Sequence, residues 1–294
     1  MDNLAQLVVN GLVEGAIIAM GAVGATLVYG VLKIGNFAHG DYMTLGAYIA
    51  VVVNVGLSQN MLVAAVAAVA GIAAFAVVLE FVLFRTTRGK GSGSLFIITI
   101  GLALTIRYGI YLLFGAQTQQ YAIDQYAVYD LGAVRLSPGQ LISTASALVA
   151  VPLVGLYLAR TRTGKSMRAV ADNRDLAAVS GVDIDRVAVN TWAMAGALAG
   201  LSGLLLALLQ GTFNPELGWN ALFLIFTAII LGSIGSAYGA LVGGLVVGLM
   251  MELSTWSGLA GGLDPRYKPV VAFVVLIVVL LYRPQGFFGK VRLL

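Results

Sequence analysis

Cysteine is absent from this 294-residue chain, and histidine occurs once, at position 39. The first absence excludes disulfides and thiolate metal sites, and the second argues against a histidine-based metal centre. Charge is scarce as well. Asp, Glu, Lys and Arg make up 10% of the residues, where a soluble domain carries about a quarter. MDNLAQL, at the N-terminus, has no basic stretch, so no cleaved signal peptide is expected. The apolar runs lack strict alternation, which argues against an outer-membrane barrel. Nothing suggests a nucleic-acid partner.

What remains is apolar. Hydrophobic residues form 60% of the chain, and the mean hydropathy is +0.94. Runs extend over Ala16 to Leu32, Met61 to Phe84, Leu95 to Phe114, Leu141 to Ala159, Val187 to Leu209, Ala221 to Met251 and Pro269 to Leu281. Each approaches or exceeds the roughly 20 residues that carry a helix across a hydrocarbon core. The expected fold is an all-α, polytopic bundle in membrane lipid, a single transmembrane domain over 1–294. Splitting 221–256 near Gly232-Ser233-Ile234-Gly235 predicts about nine crossings, within a range of eight to ten. That range stays open because Lys33 to Asp41 reads either as a turn outside the bilayer or as a break inside the bundle.

Basic residues orient the spans. Arg85, Arg88 and Lys90, then Arg160, Arg162, Lys165, Arg168, Arg174 and Arg186, then Arg283, Lys290 and Arg292 cluster in three segments. By the positive-inside rule all three are expected in the cytoplasm, the C-terminus included. Loops 115–140, 210–220 and 257–268, with Asp124, Asp130, Glu216 and Asp264, face the other side. Gly235, Gly239 and Gly243, with Gly244 and Gly248, recur at the four-residue spacing that lets helices approach closely. Trp192, Trp219 and Trp256 read as interfacial anchors.

Gly164-Lys165-Ser166 ends like a phosphate-binding loop, but Ala159 stands where the first glycine belongs. VPLVGLYLA before it finishes a membrane span rather than a β-strand, so ATP binding by this chain is not expected. The segment that follows, 160–187, is the longest polar stretch between spans. Met167, Val170, Ala171 and Ala178 are spaced to share a helix face, and Gly181 suits a helix end. It reads either as a solvated loop or as a docking helix at the membrane surface.

MRAVADNRDLAAVSGV (Met167 to Val182) resembles the coupling loop of the branched-chain amino acid permeases, the LivH/LivM group of ABC importers. LVYGVLKIGNFAHGDYMTLGAYIA (Leu27 to Ala50), AIILGSIGSAYGALVGGLVVG (Ala228 to Gly248) and YRPQGFFG (Tyr282 to Gly289) resemble LivH-type segments in the same order. Ser233, and Ala237-Tyr238, depart from the usual pattern. The resemblance implies a non-enzymatic permease in the bacterial inner membrane, driven by ATP and Mg bound on partner subunits, with no cofactor of its own. It implies two cytoplasmic ATPases, a LivM-type second permease and a periplasmic amino-acid-binding protein. It assigns ATPase coupling to Met167, Arg168, Ala169, Asp172, Asn173, Ala177, Gly181 and Val182.

Ionisable groups at bilayer depth are costly, so they are candidates for a pathway or gate. Asn36, His39 and Asp41 form the densest cluster. Arg107 lies mid-run and is expected to pair with Glu252 across the bundle or to meet a substrate carboxylate. Glu14 reads as an entrance guard or an interfacial acid, and Glu80 as a boundary partner of Arg85. Two rival readings compete with this one. Gly200-Leu201-Ser202-Gly203 matches an intramembrane serine protease motif, but the lone histidine precedes it in the chain. An ion-driven transporter or channel for small polar solutes should show paired intramembrane acids, and the docking segment would then lack a purpose.

Overall fold

The computed structural model describes residues 4–87, 91–123, 129–130, 134–258, 262–283 and 285–288. Arg88, Lys90, Asp124, Gly289, Lys290 and Arg292, used above, lie outside the described residues, as does Pro284. The helices are α1 (Leu4–Leu32), α2 (His39–Val51), α3 (Met61–Leu79), α4 (Arg85–Thr87), α5 (Ser92–Phe114), α6 (Pro138–Arg160), α7 (Arg162–Asp172), α8 (Arg174–Val179), α9 (Ile184–Gln210), α10 (Leu217–Gly232), α11 (Ala237–Leu253) and α12 (Lys268–Tyr282). A π-helical turn over Glu80–Phe84 joins α3 to α4. Among the described residues the only strands are Tyr129–Asp130 and Arg135–Leu136, paired antiparallel with Tyr129 opposite Leu136.

Local chemistry sets the boundaries. Each helix from α6 to α9 starts at a side-chain cap that accepts an otherwise unpaired backbone N–H. Ser137 and Gln140 form a reciprocal capping box ahead of Pro138. Thr161, Asn173 and Asp183 then cap α7, α8 and α9. These caps matter because α7 and α8 are too short to hold themselves.

α1 runs through the centre, flanked along its length by α11 and α9, and α3 packs on the far side of α9. α2 is threaded among α3, α5, α9 and α10. Close approach is allowed by missing side chains. A Cβ at Gly248 would stand 2.3 Å from the Gly15 Cα, and one at Gly244 2.5 Å from the Ala19 Cα. Gly239 and Gly243 bring α11 equally close to the backbone of α10. Four of the five glycines expected to pack helices therefore do so. Gly235 does something else: at φ 88° it turns the chain between α10 and α11, and its N–H donates to Thr26 Oγ1 at 3.0 Å.

Among the described residues six helices are long and apolar enough to cross a membrane: α1, Met61–Thr87, Gly93–Phe114, α6, α9 and Pro265–Tyr282. A seventh is obtained if α10 and α11, bent by 120° at 233–236, count as one span. About nine crossings, within eight to ten, were expected; six or seven candidates meet this length and apolarity among the described residues. α10 and α11 are each shorter than a full crossing, and α2 is a short buried helix inside the bundle. Trp192 also corrects its reading. It is fully buried and stacked on Phe84 at 4.3 Å, a core residue rather than an interfacial anchor.

Candidate functional site

α1 ends at Lys33, whose φ of 59° turns the chain back, and residues 33–38 re-enter the protein instead of passing outside it. Asn36, His39 and Asp41 are 3%, 0% and 0% exposed. The turn reading is therefore replaced by a break within the bundle. Asn36 holds the corner: its Oδ1 accepts from the Ala38 N–H at 3.1 Å, and its backbone carbonyl accepts from His39 at 3.3 Å. His39 lies flat against α1, where a Cβ on Gly24 would stand 2.9 Å from its Cε1. Tyr42 follows on the next turn beside Asn36, and it too is buried. α10 meets this segment so closely that a Cβ at Gly218 would stand 1.7 Å from the Gly40 carbonyl oxygen.

Arg107 on α5 completes the cluster. Its Nε donates to Asp41 Oδ1 at 2.9 Å and its Nη2 to Oδ2 at 3.1 Å, both buried. Such a two-pronged pair fixes orientation as well as charge. The guanidinium also stands 4.4 Å from the centroid of the Trp219 ring, giving a cation–π contact. The expected Arg107–Glu252 pair is not made. Asp41 reaches Arg107 first because α2, inserted between the outer helices and α1, lies alongside α5. Glu252 instead takes the Lys268 ammonium at the start of α12. Arg85 pairs with Asp185 on α9 at 3.1 Å, and Glu80 is buried.

Glu14 belongs to the Glu252 group. Its carboxyl lies within hydrogen-bonding reach of Glu252 and beside Lys268. Glu14 and Lys268 line a cavity of about 240 Å³ between α1, α9, α10 and α12. Neither Glu14 nor Lys268 was expected in a common site.

At the α6–α9 end, the docking segment is two helices rather than one. Asn173, at φ −155° and ψ 105°, breaks it and caps the second. The helical phase restarts there, so Ala177, not Ala178, faces the protein alongside Met167 and Val170. Leu176 and Val179 point outward, 64% and 87% exposed. Arg168 donates to the Leu158 and Ala159 carbonyls at the end of α6. Asp172 and Ala169 lie on α7 between these anchors. Gly181, at φ 84°, closes α8, and the Val182 N–H returns to the Ala177 carbonyl at 3.0 Å. Gly164, Lys165 and Ser166 form the first turns of α7. The Gly164 N–H is taken by Thr161, and a Cβ there would stand 2.5 Å from the Leu158 carbonyl oxygen. That turn has no open nest for a phosphate.

Residues 7–280 match the family described as branched-chain amino acid transport system / permease component. The chain belongs to this family. It is 31% identical to the high-affinity branched-chain amino acid transport system permease protein BraD of Pseudomonas aeruginosa, over 97% of this chain and 95% of that one. It is 30% identical to LivH of Escherichia coli, a protein of the same description, over the same shares. Among solved structures it resembles PsaBC from Streptococcus pneumoniae, with a TM-score of 0.53 over 98% of this chain and 94% of that one. At 13% identity that likeness speaks for the fold alone. The chain is accordingly a multi-pass transport subunit of an ABC importer, not itself an enzyme.

Two charged sites stand inside this permease, Asp41 with Arg107 and Glu252 with Lys268 beside Glu14. Asp41 and Arg107 were both singled out as lone charges in apolar runs, but their partnership was not. Opposite sign was the available signal, and Glu252 offered the same sign as Asp41. Lys268 was missed because it read as a loop charge. Tyr42 and Trp219 were missed because aromatic residues near span ends usually anchor at the interface.

Proposed function

We propose that this chain forms one half of the pathway through which an ATP-driven importer moves branched-chain or other neutral amino acids across the bacterial inner membrane. A periplasmic binding protein delivers the amino acid, a LivM-type subunit completes the pore, and two cytoplasmic ATPases bind ATP and Mg. The α7–α8 end and the C-terminus lie in the cytoplasm, where the basic segments place them. The reading is carried by α8: two large apolar side chains, Leu176 and Val179, stand exposed on a short capped helix outside the bundle. Such a pair on a charged helix fits a groove on another protein.

The wiring behind α8 supports coupling. α7 is fastened to α6 by Arg168 and seated on the bundle through Met167 and Val170. Arg168 and Asp172 border a cavity shared with Thr26 and Gly30 of α1 and with Gly235 at the α10–α11 bend. A displacement of α8 by a closing ATPase pair thus reaches the end of α1 and the bend in one step. His39 rests on Gly24 of α1, and Gly40 and Arg107 meet Gly218 and Trp219 at the start of α10, so α1 and α10 connect that end to the cluster of Asn36, His39, Asp41 and Arg107. The cluster then acts as the gate whose packing has two arrangements, one per access state.

The test is purification of the tagged chain from native membranes in mild detergent, followed by mass spectrometry of what accompanies it. ATPase subunits and a second permease in matched amounts are expected, with binding-protein-stimulated ATP hydrolysis that responds to neutral amino acids. A chain that comes out alone under several gentle conditions would overturn the reading.

A further inference from the structure

The Asp41–Arg107 pair is closed on itself, with each carboxylate oxygen facing a guanidinium N–H. The second charged group is not. Glu252 engages the Lys268 ammonium from behind, and Glu14 turns its carboxyl toward the cavity that Lys268 also lines. Two carboxyl groups and one ammonium therefore meet at this cavity, and the ammonium is ion-paired with Glu252.

The cavity has a shape to match. Glu14 and Lys268 bring charge to its lining, Gln210 and Asn220 bring amide groups, and Ile17, Ile18, Leu224 and Met251 supply apolar wall. At about 240 Å³ it falls just under the roughly 300–1,000 Å³ of pockets for drug-sized ligands. That suits a small solute. Acid, base and aliphatic wall at one place are the three features of an α-amino acid zwitterion with a branched apolar side chain.

We propose that this cavity is a substrate site of the permease: Glu14 receives the ammonium of a neutral amino acid, Lys268 its carboxylate, and the wall its side chain. Glu252 is a positioning residue, holding Lys268 at the cavity from α11. The proposal rests on the amino-acid importer reading given above. It adds to that reading which residues select the substrate. A cavity with only one sign of charge would take an amine or an acid equally well without its counter-group. This one should require both.

The test uses the complete complex, with its partner permease and ATPases, in lipid nanodiscs without the binding protein. Labelled leucine is bound at equilibrium and displaced by isocaproate, which lacks the ammonium, or by isoamylamine, which lacks the carboxylate. Wild type should prefer leucine over both. Glu14→Gln should lose at least about tenfold of the preference over isocaproate, the weight of one charge-assisted hydrogen bond, and keep that over isoamylamine. Lys268→Met should show the reverse. That crossed pattern cannot come from general loosening of the bundle. Equal weakening of all three ligands in both variants, unchanged preferences, or no leucine binding to wild type at millimolar concentration would overturn the site. Separately, a wild-type complex that transports no neutral amino acid when its binding protein is restored would overturn the importer reading beneath it.

Discussion

α1 and α9 have mean hydropathies of 1.9 each and are 83% and 72% buried inside the protein. α6 and the spans Gly93–Phe114 and Pro265–Tyr282 have nearly the same hydropathies, 2.0, 1.8 and 1.8, yet are only 19%, 22% and 6% buried. The most apolar span of all, Met61–Thr87 at 2.8, is also only 22% buried. Hydropathy thus says that a helix avoids water but not whether lipid or protein replaces it. The difference lies in which small residues meet a neighbouring backbone: Gly196, Gly200 and Gly203 of α9 do, whereas Gly101 and Gly109 of α5 have no atom within 4 Å of an added Cβ. α1 carries Gly11, Gly15, Gly21, Gly24 and Gly30, whereas α12 has no glycine. Without a hydrophobic force between helices in lipid, backbone proximity and buried polar contacts decide which helices come together.

The contrast breaks most sharply at the centre. Arg107→Met leaves the Asp41 carboxylate buried and unpaired, and should cost about 3–5 kcal/mol in detergent unfolding. Pairing it with Asp41→Leu should recover much of that loss. No recovery would mean that Arg107 acts through Trp219 rather than through Asp41. Gly248→Ala is next. Its methyl would meet the Gly15 backbone, which has no way to yield, and should cost about 1–3 kcal/mol. On the rim the same change reverses sign. Gly109 on α5 has no atom within 4 Å of an added Cβ, so Gly109→Ala should be neutral or stabilising by up to about 1 kcal/mol. Equal effects at positions 248 and 109 would remove the distinction between core and rim helices.

The smallest change sharpens the comparison at the bend. Ser233 adopts φ 92°, a conformation that side chains resist. Ser233→Gly should stabilise the chain by about 1 kcal/mol, read as a raised unfolding temperature of the purified complex.

The helical class, all six full spans and the amphipathic docking segment were legible from apolar runs and from spacing. The close-packing glycines on α11 were legible too, because a four-residue repeat of glycine has a direct geometric meaning. Partnerships across the bundle were not. Whether Arg107 meets Asp41 or Glu252 depends on which helices neighbour α5 and how they are rotated, and neither is written into the hydropathy of either segment. His39 was ambiguous for a related reason. GNFAHGD reads equally as a wet turn or as a break under cover, and only the packing of α1, α2 and α10 decides. Trp192 misled because the interfacial habit of tryptophan gives no sign of a stacking partner such as Phe84 from a distant span.

Because the chain has no cysteine, one introduced thiol is a unique label. Val179→Cys on α8, in a complex assembled with its ATPases, is the direct test of coupling through this helix. It should form a cross-link to an ATPase subunit whose yield changes with bound nucleotide. Val66→Cys on the exposed face of α3, 63% accessible, should form none. Failure of position 179 to reach any ATPase, or cross-linking as efficient from position 66, would contradict the account.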